Sequence, residues 1–135
     1  MTKKVSRPLA VATAIAVVTI GVFAAPAPAG AHWSCGRSAP SDIDSSGNNW
    51  VVESTVSRVG SSLRCAVQSL GINANLDLDY HCYAKDINGE DTWTYVVAVG
   101  VNKRGWVKDS TLWDNGSSVR CVGDTNTLAA AKIAS

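Results

Sequence analysis

The sequence predicts an all-β domain, a small barrel of about five to seven short strands stapled by two disulfides. Three observations predict it. Beyond residue 49, short runs rich in Val, Thr, Tyr and Trp alternate with clusters of Gly, Asn, Asp and Ser. One of those runs, Leu76 to Ala84, is apolar at every second position, the period of a half-buried strand. The chain also carries four cysteines, an even set of the kind that small exported domains use to supplement a modest core.

The elements follow in chain order. Lys3, Lys4 and Arg7 precede an apolar stretch from Leu9 to Ala25. Pro26 and Pro28 end that stretch, and Ala29-Gly30-Ala31 supplies the small residues of a cleavage site. Residues 1–31 therefore read as a bacterial signal peptide, with His32 first in the secreted chain. Three of the twelve Lys and Arg residues lie in this segment and none of the eleven acids does, so the formal charge falls from +1 to −2 on its removal. That mild balance gives no electrostatic reason to expect a nucleic-acid partner. A hydrophobic share of 46% against 17% charged residues excludes a disordered or collagen-like chain. No second apolar segment follows, so no membrane contact is expected after cleavage. The 104 residues that remain suffice for one small domain, expected as a secreted monomer, extracellular or cell-wall associated.

Residues 32–49 are rich in Ser, Gly, Pro, Asn and Asp and read as an irregular arm tied down at Cys35. The domain proper is expected over 50–121, followed by a tail at 122–135. Only Leu128 to Ala134 in that tail favours helix, and it is too short to be stable alone. Within the domain, strands are expected at Trp50–Val56, Cys65–Leu70, Leu76–Ala84 and Thr92–Val101, with a further one beginning at Gly105. In the third, Leu76, Leu78, Tyr80, Cys82 and Ala84 share a buried face, and Asp77, Asp79, His81 and Tyr83 share a wet one. Asn88-Gly89 predicts a type I′ hairpin turn, which needs positive φ at both central residues. Asn102 to Gly105 predicts the next reversal, and Asp109 caps a single helical turn through Leu112.

Cys35, Cys65, Cys82 and Cys121 all lie beyond the signal, and sequence alone leaves three pairings open. Loops of about 30 to 40 residues contribute roughly 3–4 kcal/mol each by chain entropy. The rival is zinc, because His32 lies near Cys35 and His81 adjoins Cys82. No C-x-x-C pair is present, and adjacent side chains on a strand point to opposite faces, so disulfides are expected and no metal.

Three segments carry a resemblance. Val56-Ser57-Arg58-Val59-Gly60-Ser61-Ser62 is similar to a V-x-R-x-G-P-S opening. Asp79-Tyr80-His81-Cys82-Tyr83, followed by Thr92-Trp93-Thr94-Tyr95-Val96, looks like a central W-x-x-V strand pair. Gly105-Trp106-Val107, with Asp109 and Leu112, looks like a terminal G-W-V-x-x-x-Y-L. In this order they resemble the bacterial SH3-like (SH3b) domains of exported proteins, and small secreted actinobacterial members above all. Ser61 stands where the family has proline and Gln68 where it has glycine, so the opening loop departs in shape. The resemblance implies an SH3-like barrel over about residues 50–121 and pairing of Cys82 with Cys121, which leaves Cys35–Cys65 to staple the arm. Cys65–Cys82 with Cys35–Cys121 stays open. It also implies a non-catalytic module that recognises cell-wall peptidoglycan or an extended peptide.

The aromatics are the candidate ligand-binding residues. Indole and phenol rings offer wide apolar faces with a polar edge, suited to sugars and peptide backbones. Tyr83, on the wet strand face, and Trp113, after the helical turn, come first, with Tyr95 and Trp93 next. Trp93 and Tyr95 share one strand face and Thr92, Thr94 and Val96 the other, so one set must face inward, and Trp93 and Trp106 both fit a core. Trp33 covers the disulfide at Cys35. Lys103, Arg104 and Lys108 offer cations to anionic wall polymers, or form a solvated loop tip.

Catalysis has little support. Asp77 and Asp79 share a strand face, and Asp86, Glu90 and Asp91 surround a turn, which are ordinary solvated placements. A G-x-S-x-G, an H-E-x-x-H and a phosphate loop are all missing, and oxidised cysteines leave no thiol nucleophile. No cofactor is implied. One enzymatic alternative remains: an N-terminal His32 presents amine and imidazole together as a copper chelate, with His81 as a third nitrogen. Copper-dependent polysaccharide-active enzymes begin this way but are larger. The last class is a secreted protein–protein interaction or inhibitor protein, which small size and disulfides permit.

Overall fold

The β-branched and aromatic runs form five strands: β1 (Thr55–Arg58), β2 (Val67–Ile72), β3 (Leu78–Lys85), β4 (Thr92–Ala98) and β5 (Arg104–Lys108). A 3₁₀ turn at Asp109–Thr111 follows β5. The structure, a computed structural model, describes residues 32–124; the expected signal segment 1–31 and the helical window at 128–134 lie outside the described residues. No helix among the described residues is long and apolar enough to cross a membrane.

The strands pair antiparallel in one sheet of order β2-β1-β5-β4-β3. The expected barrel is not closed, because no ladder joins β2 to β3 among the described residues. Outside the ladders, Asn49 bridges Leu78 and Val51 bridges Leu112. The expected first strand shifts for the same reason. Trp50 to Val52 is engaged by the chain at 111–113, and the ladder begins only at Thr55. The second begins at Val67, since Cys65 closes a turn onto the Ser62 carbonyl. Leu76 precedes β3 in a turn that accepts its N–H at Asn73. β4 stops at Ala98 because the reversal runs through Gly100, at φ +77°, ahead of the expected Asn102.

The hairpin at Asn88-Gly89 forms, but by a longer loop than a two-residue turn. The Gly89 N–H closes onto the Asp86 carbonyl, and Gly89 rather than Asn88 takes the positive φ. The Asp86 carboxylate accepts the N–H groups of Asn88 and Glu90 at 3.1 and 3.0 Å, which fixes the loop. Asp109 does not cap the helical turn; Lys108 holds that position, and the Asp109 carboxylate accepts the Thr94 hydroxyl at 2.6 Å.

The β3–β4 ladder carries a bulge that organises the core. Tyr80 faces Val96, but Cys82 faces Tyr95, so His81 is the extra residue. Val96 and Tyr95 point to opposite faces of β4, so the bulge carries the apolar side of β3 from one face of the sheet to the other. Leu78 and Tyr80 join an aliphatic cluster with Val51, Ile72, Val96, Ala98, Val107 and Leu112. Cys82 and Ala84 join an aromatic one with Trp33, Trp93, Tyr95, Trp106 and Cys121. Both expected sets of β4 are therefore inward, and Trp93, Thr94, Tyr95 and Val96 are all buried.

Two disulfides, Cys35–Cys65 and Cys82–Cys121, fasten the segments flanking the sheet, as the resemblance implied. They suit an oxidising, extracellular environment. The arm returns along 59–61, where Trp33 and Ser61 exchange hydrogen bonds and Gly36 donates to the Val59 carbonyl. Gly60 permits that approach: a Cβ there would lie 2.6 Å from the Cys65 sulfur and 2.8 Å from the Trp33 carbonyl oxygen. Trp33 itself packs on Trp106, with ring centroids 5.6 Å apart, and so covers the aromatic cluster.

Candidate ligand-binding surface

The most exposed aromatic surface arises from one bridge. Val51 and Leu112 face each other and point into the aliphatic cluster. Alternation then turns their neighbours outward. The Trp113 N–H donates to the Trp50 carbonyl at 3.2 Å and the Val52 N–H to that of Thr111 at 2.8 Å. Trp50 and Trp113 consequently stack on the outside, centroids 4.5 Å apart and planes 9° from parallel. They remain 40% and 47% exposed, with Val52 exposed beside them on the same segment.

A cleft of about 380 Å³ adjoins Trp50, lined by Asn48, Asn49, Ala74, Asn75, Leu76 and Asp77. Asn48 holds positive φ, which asparagine tolerates, and carries the chain into the bridge at Asn49. Asn49 is 2% exposed, and its Nδ2 donates to no acceptor among the described residues. Buried N–H groups nearly always find a partner, and this amide and the Trp93 indole N–H are the two exceptions among the described residues. Flat indole surface, amides and the exposed Asp77 carboxylate together can hold a ring with apolar faces and hydroxyl edges.

The four sequence candidates do not form one groove. Trp113 is exposed as expected, and its partner Trp50 was missed because the run from Trp50 to Val56 reads as a strand. Tyr83 is half-buried rather than wet: its backbone pairs with 119–121, donating to the Val119 carbonyl and accepting from the Cys121 N–H. Across the bulge, His81 and Asp79 are half-buried too, because the arm lies over them, whereas Asp77 is exposed. Trp93, 3% exposed, is packed among aromatic rings and presents no open platform. Tyr95, equally buried, makes an edge contact with Trp106 at 5.6 Å.

Tyr95 does line a second cleft, of about 290 Å³, with Arg37, Gln68, Arg104 and Trp106. Burial pushes its phenol above the ordinary value, and the Arg104 guanidinium works against that shift. Arg37 lies over the Trp33 ring, 3.9 Å from its centroid. Neither arginine makes an ion pair among the described residues. Lys103 donates to the Gly71 carbonyl and Lys108 pairs with Asp91 at 2.8 Å, so the basic residues near the turn form no single patch.

On the other side of β3, Asp42, Asp79 and His81 place their ligand atoms within 4.8 Å of one another. Burial and the neighbouring Asp42 raise the Asp79 carboxyl, while His81 opposes the rise. His32 is not part of this group; its backbone forms a bridge with Lys85. All four cysteines are in disulfides, which removes a thiolate zinc site. No family model, no curated protein and no solved structure matches the chain.

Proposed function

We propose that the chain is a secreted SH3-like binding module that recognises cell-wall peptidoglycan without chemistry, with the Trp50–Trp113 face as its glycan-binding surface. One observation carries the reading: an exposed, stacked indole pair adjoins a cleft lined by asparagines and the exposed Asp77. Apolar ring faces of a sugar pack on indole, and its hydroxyl and amide edges meet the polar lining of the cleft. The two disulfides support an extracellular place of work. The SH3-like assignment rests on the three sequence segments, which occupy β1, the β3–β4 hairpin and β5.

The test is co-sedimentation of oxidised protein with insoluble peptidoglycan sacculi. Wild type should pellet saturably. Trp50→Ala and Trp113→Ala should each weaken binding about tenfold or more, a loss of roughly 1.4 kcal/mol, with the dispersed amide NMR spectrum of the folded chain retained. Tyr83→Ala, at the other edge, should bind as wild type. Wild type that stays in the supernatant at every salt concentration rejects the reading. A second reading, an extended peptide ending in a carboxylate, is favoured by two guanidiniums beside Tyr95 that make no ion pair among the described residues. Pelleting weakened by Arg104→Ala and not by Trp113→Ala would move the site to that cleft.

A further inference from the structure

We propose that Asp42, Asp79 and His81 form a binding site for a divalent transition-metal ion, zinc being the ion to test, which ties the N-terminal arm to β3. The argument is independent of the tryptophan face. Two carboxylates and one imidazole converge from two segments of the chain, and the His81 Nε2 lies 3.7 Å from Asp79 Oδ2. The bulge at His81 is what turns this residue toward the arm.

The imidazole is already oriented as a ligand. Its Nδ1 lies 3.2 Å from the Pro40 carbonyl oxygen, which can only accept, so Nδ1 carries the hydrogen. In the neutral ring Nε2 then presents its lone pair to the two carboxylates, the arrangement that backbone carbonyls impose on metal-binding histidines. The Tyr95 ring, 5.2 Å away, limits rotation of the imidazole. The arm is fixed at the same point, since the N–H groups of Ile43 and Asp44 both donate to the His81 carbonyl.

Distance and charge agree. Ligand atoms about 2.1 Å from a tetrahedral zinc lie roughly 3.4 Å apart, so a modest swing of the exposed Asp42 side chain completes three sides. Asp42, Asp44 and Asp77 add negative charge around Asp79, and no Lys or Arg pairs with any of these four acids among the described residues. An imidazole with two carboxylates and no thiolate suits borderline ions better than calcium or magnesium.

Equilibrium dialysis of the oxidised protein against zinc, with metal analysis and calorimetry, is the test. One zinc per chain is expected, with affinity reduced at least a hundredfold in His81→Ala and at least tenfold in Asp79→Asn. His32→Ala should bind as wild type. Should a variant misfold, the His81 Nε2 resonance of the wild type must still shift on zinc addition. Wild type that retains no zinc, a variant His81→Ala that binds as tightly as wild type, or loss of binding in His32→Ala would each overturn the site.

Discussion

The two faces of the sheet are built in different ways. The aliphatic cluster draws its residues from the strands and from the Val51–Leu112 bridge, all close to the ladder itself. The aromatic cluster is completed by Trp33 and Cys121, which come from irregular segments on either side of the sheet. Cys121 is itself cross-linked to β3, and Trp33 lies two positions from the cross-linked Cys35. Ordering a residue costs about 1–2 kcal/mol of backbone entropy, and irregular segments recover little of that through hydrogen bonds. The disulfides therefore act on the lid of one face, and the other face needs none.

β5 offers the sharpest test of that difference, because Trp106 points into the aromatic cluster and Val107 into the aliphatic one. Trp106→Ala should cost about 4 kcal/mol and Val107→Ala about 2 kcal/mol, read from chemical denaturation of oxidised protein. The stronger prediction concerns coupling. Combined with loss of the Cys82–Cys121 bond, Trp106→Ala should show an interaction energy of about 1 kcal/mol or more, since both act on one cluster. Val107→Ala should be additive. Equal coupling at both positions would break the distinction.

The two disulfides should also differ, although their loops barely do. Their sequence separations of 30 and 39 residues imply only about 0.2 kcal/mol of difference in chain entropy. Burial separates them: Cys82 and Cys121 are both in the core, whereas Cys35 is exposed. Replacing the pair Cys82 and Cys121 by alanine should cost about 4 kcal/mol, and the pair Cys35 and Cys65 about 3 kcal/mol. The reverse order would mean that the arm matters more than the aromatic core beneath it.

This contrast between faces was only half legible in the sequence. The alternation of β3 is plain from Leu78 to Ala84, and those four positions are buried. Nothing local announces the bulge, because a bulge is set by what the partner strand offers, here Val96 and then Tyr95. An unbroken period of two therefore concealed a change of face. The hairpin at Asn88-Gly89 was legible, but its loop was not, since the Asp86 carboxylate takes two N–H groups that a two-residue turn would leave elsewhere. Trp113 was legible as an exposed ring. Trp50 was not, because its outward turn depends on a bridge between distant residues, Val51 and Leu112. The disulfide pairing came from the resemblance alone, for cysteine spacing holds no record of which strands meet.

The smallest expected effect distinguishes the faces by pH. Thr94 lies on the same side of β4 as Val96, and beyond the aliphatic cluster that side ends in a buried polar chain. The Thr94 hydroxyl donates to Asp109 and accepts the Ser117 N–H, and the Ser117 hydroxyl donates to Asp44 at 2.5 Å. Burial would raise Asp44, but the Ser117 hydroxyl and the Ser46 N–H outweigh it and hold that carboxyl below its usual range. Asp109 goes the other way. Burial pushes its carboxyl up to about 6, against the partial relief of hydrogen bonds from Thr92 and Thr94, with Asp114 adding to the rise. The folded state thus holds the Asp109 proton to higher pH than the unfolded state, and its contribution to stability is full below about pH 4 and declines as pH rises through 6. A shift of about 2 units sets an upper bound of about 3 kcal/mol on that decline, with about 1–2 kcal/mol expected once local relaxation is allowed. The measurement is the stability of Asp109→Asn relative to wild type, followed from pH 4 to 7. The difference should move in favour of the asparagine variant as pH rises, because the variant keeps the shape without the charge. A difference independent of pH would show that Asp109 is ionised as freely in the fold as outside it, and that the polar end of the aliphatic face carries no more electrostatic strain than the aromatic face opposite.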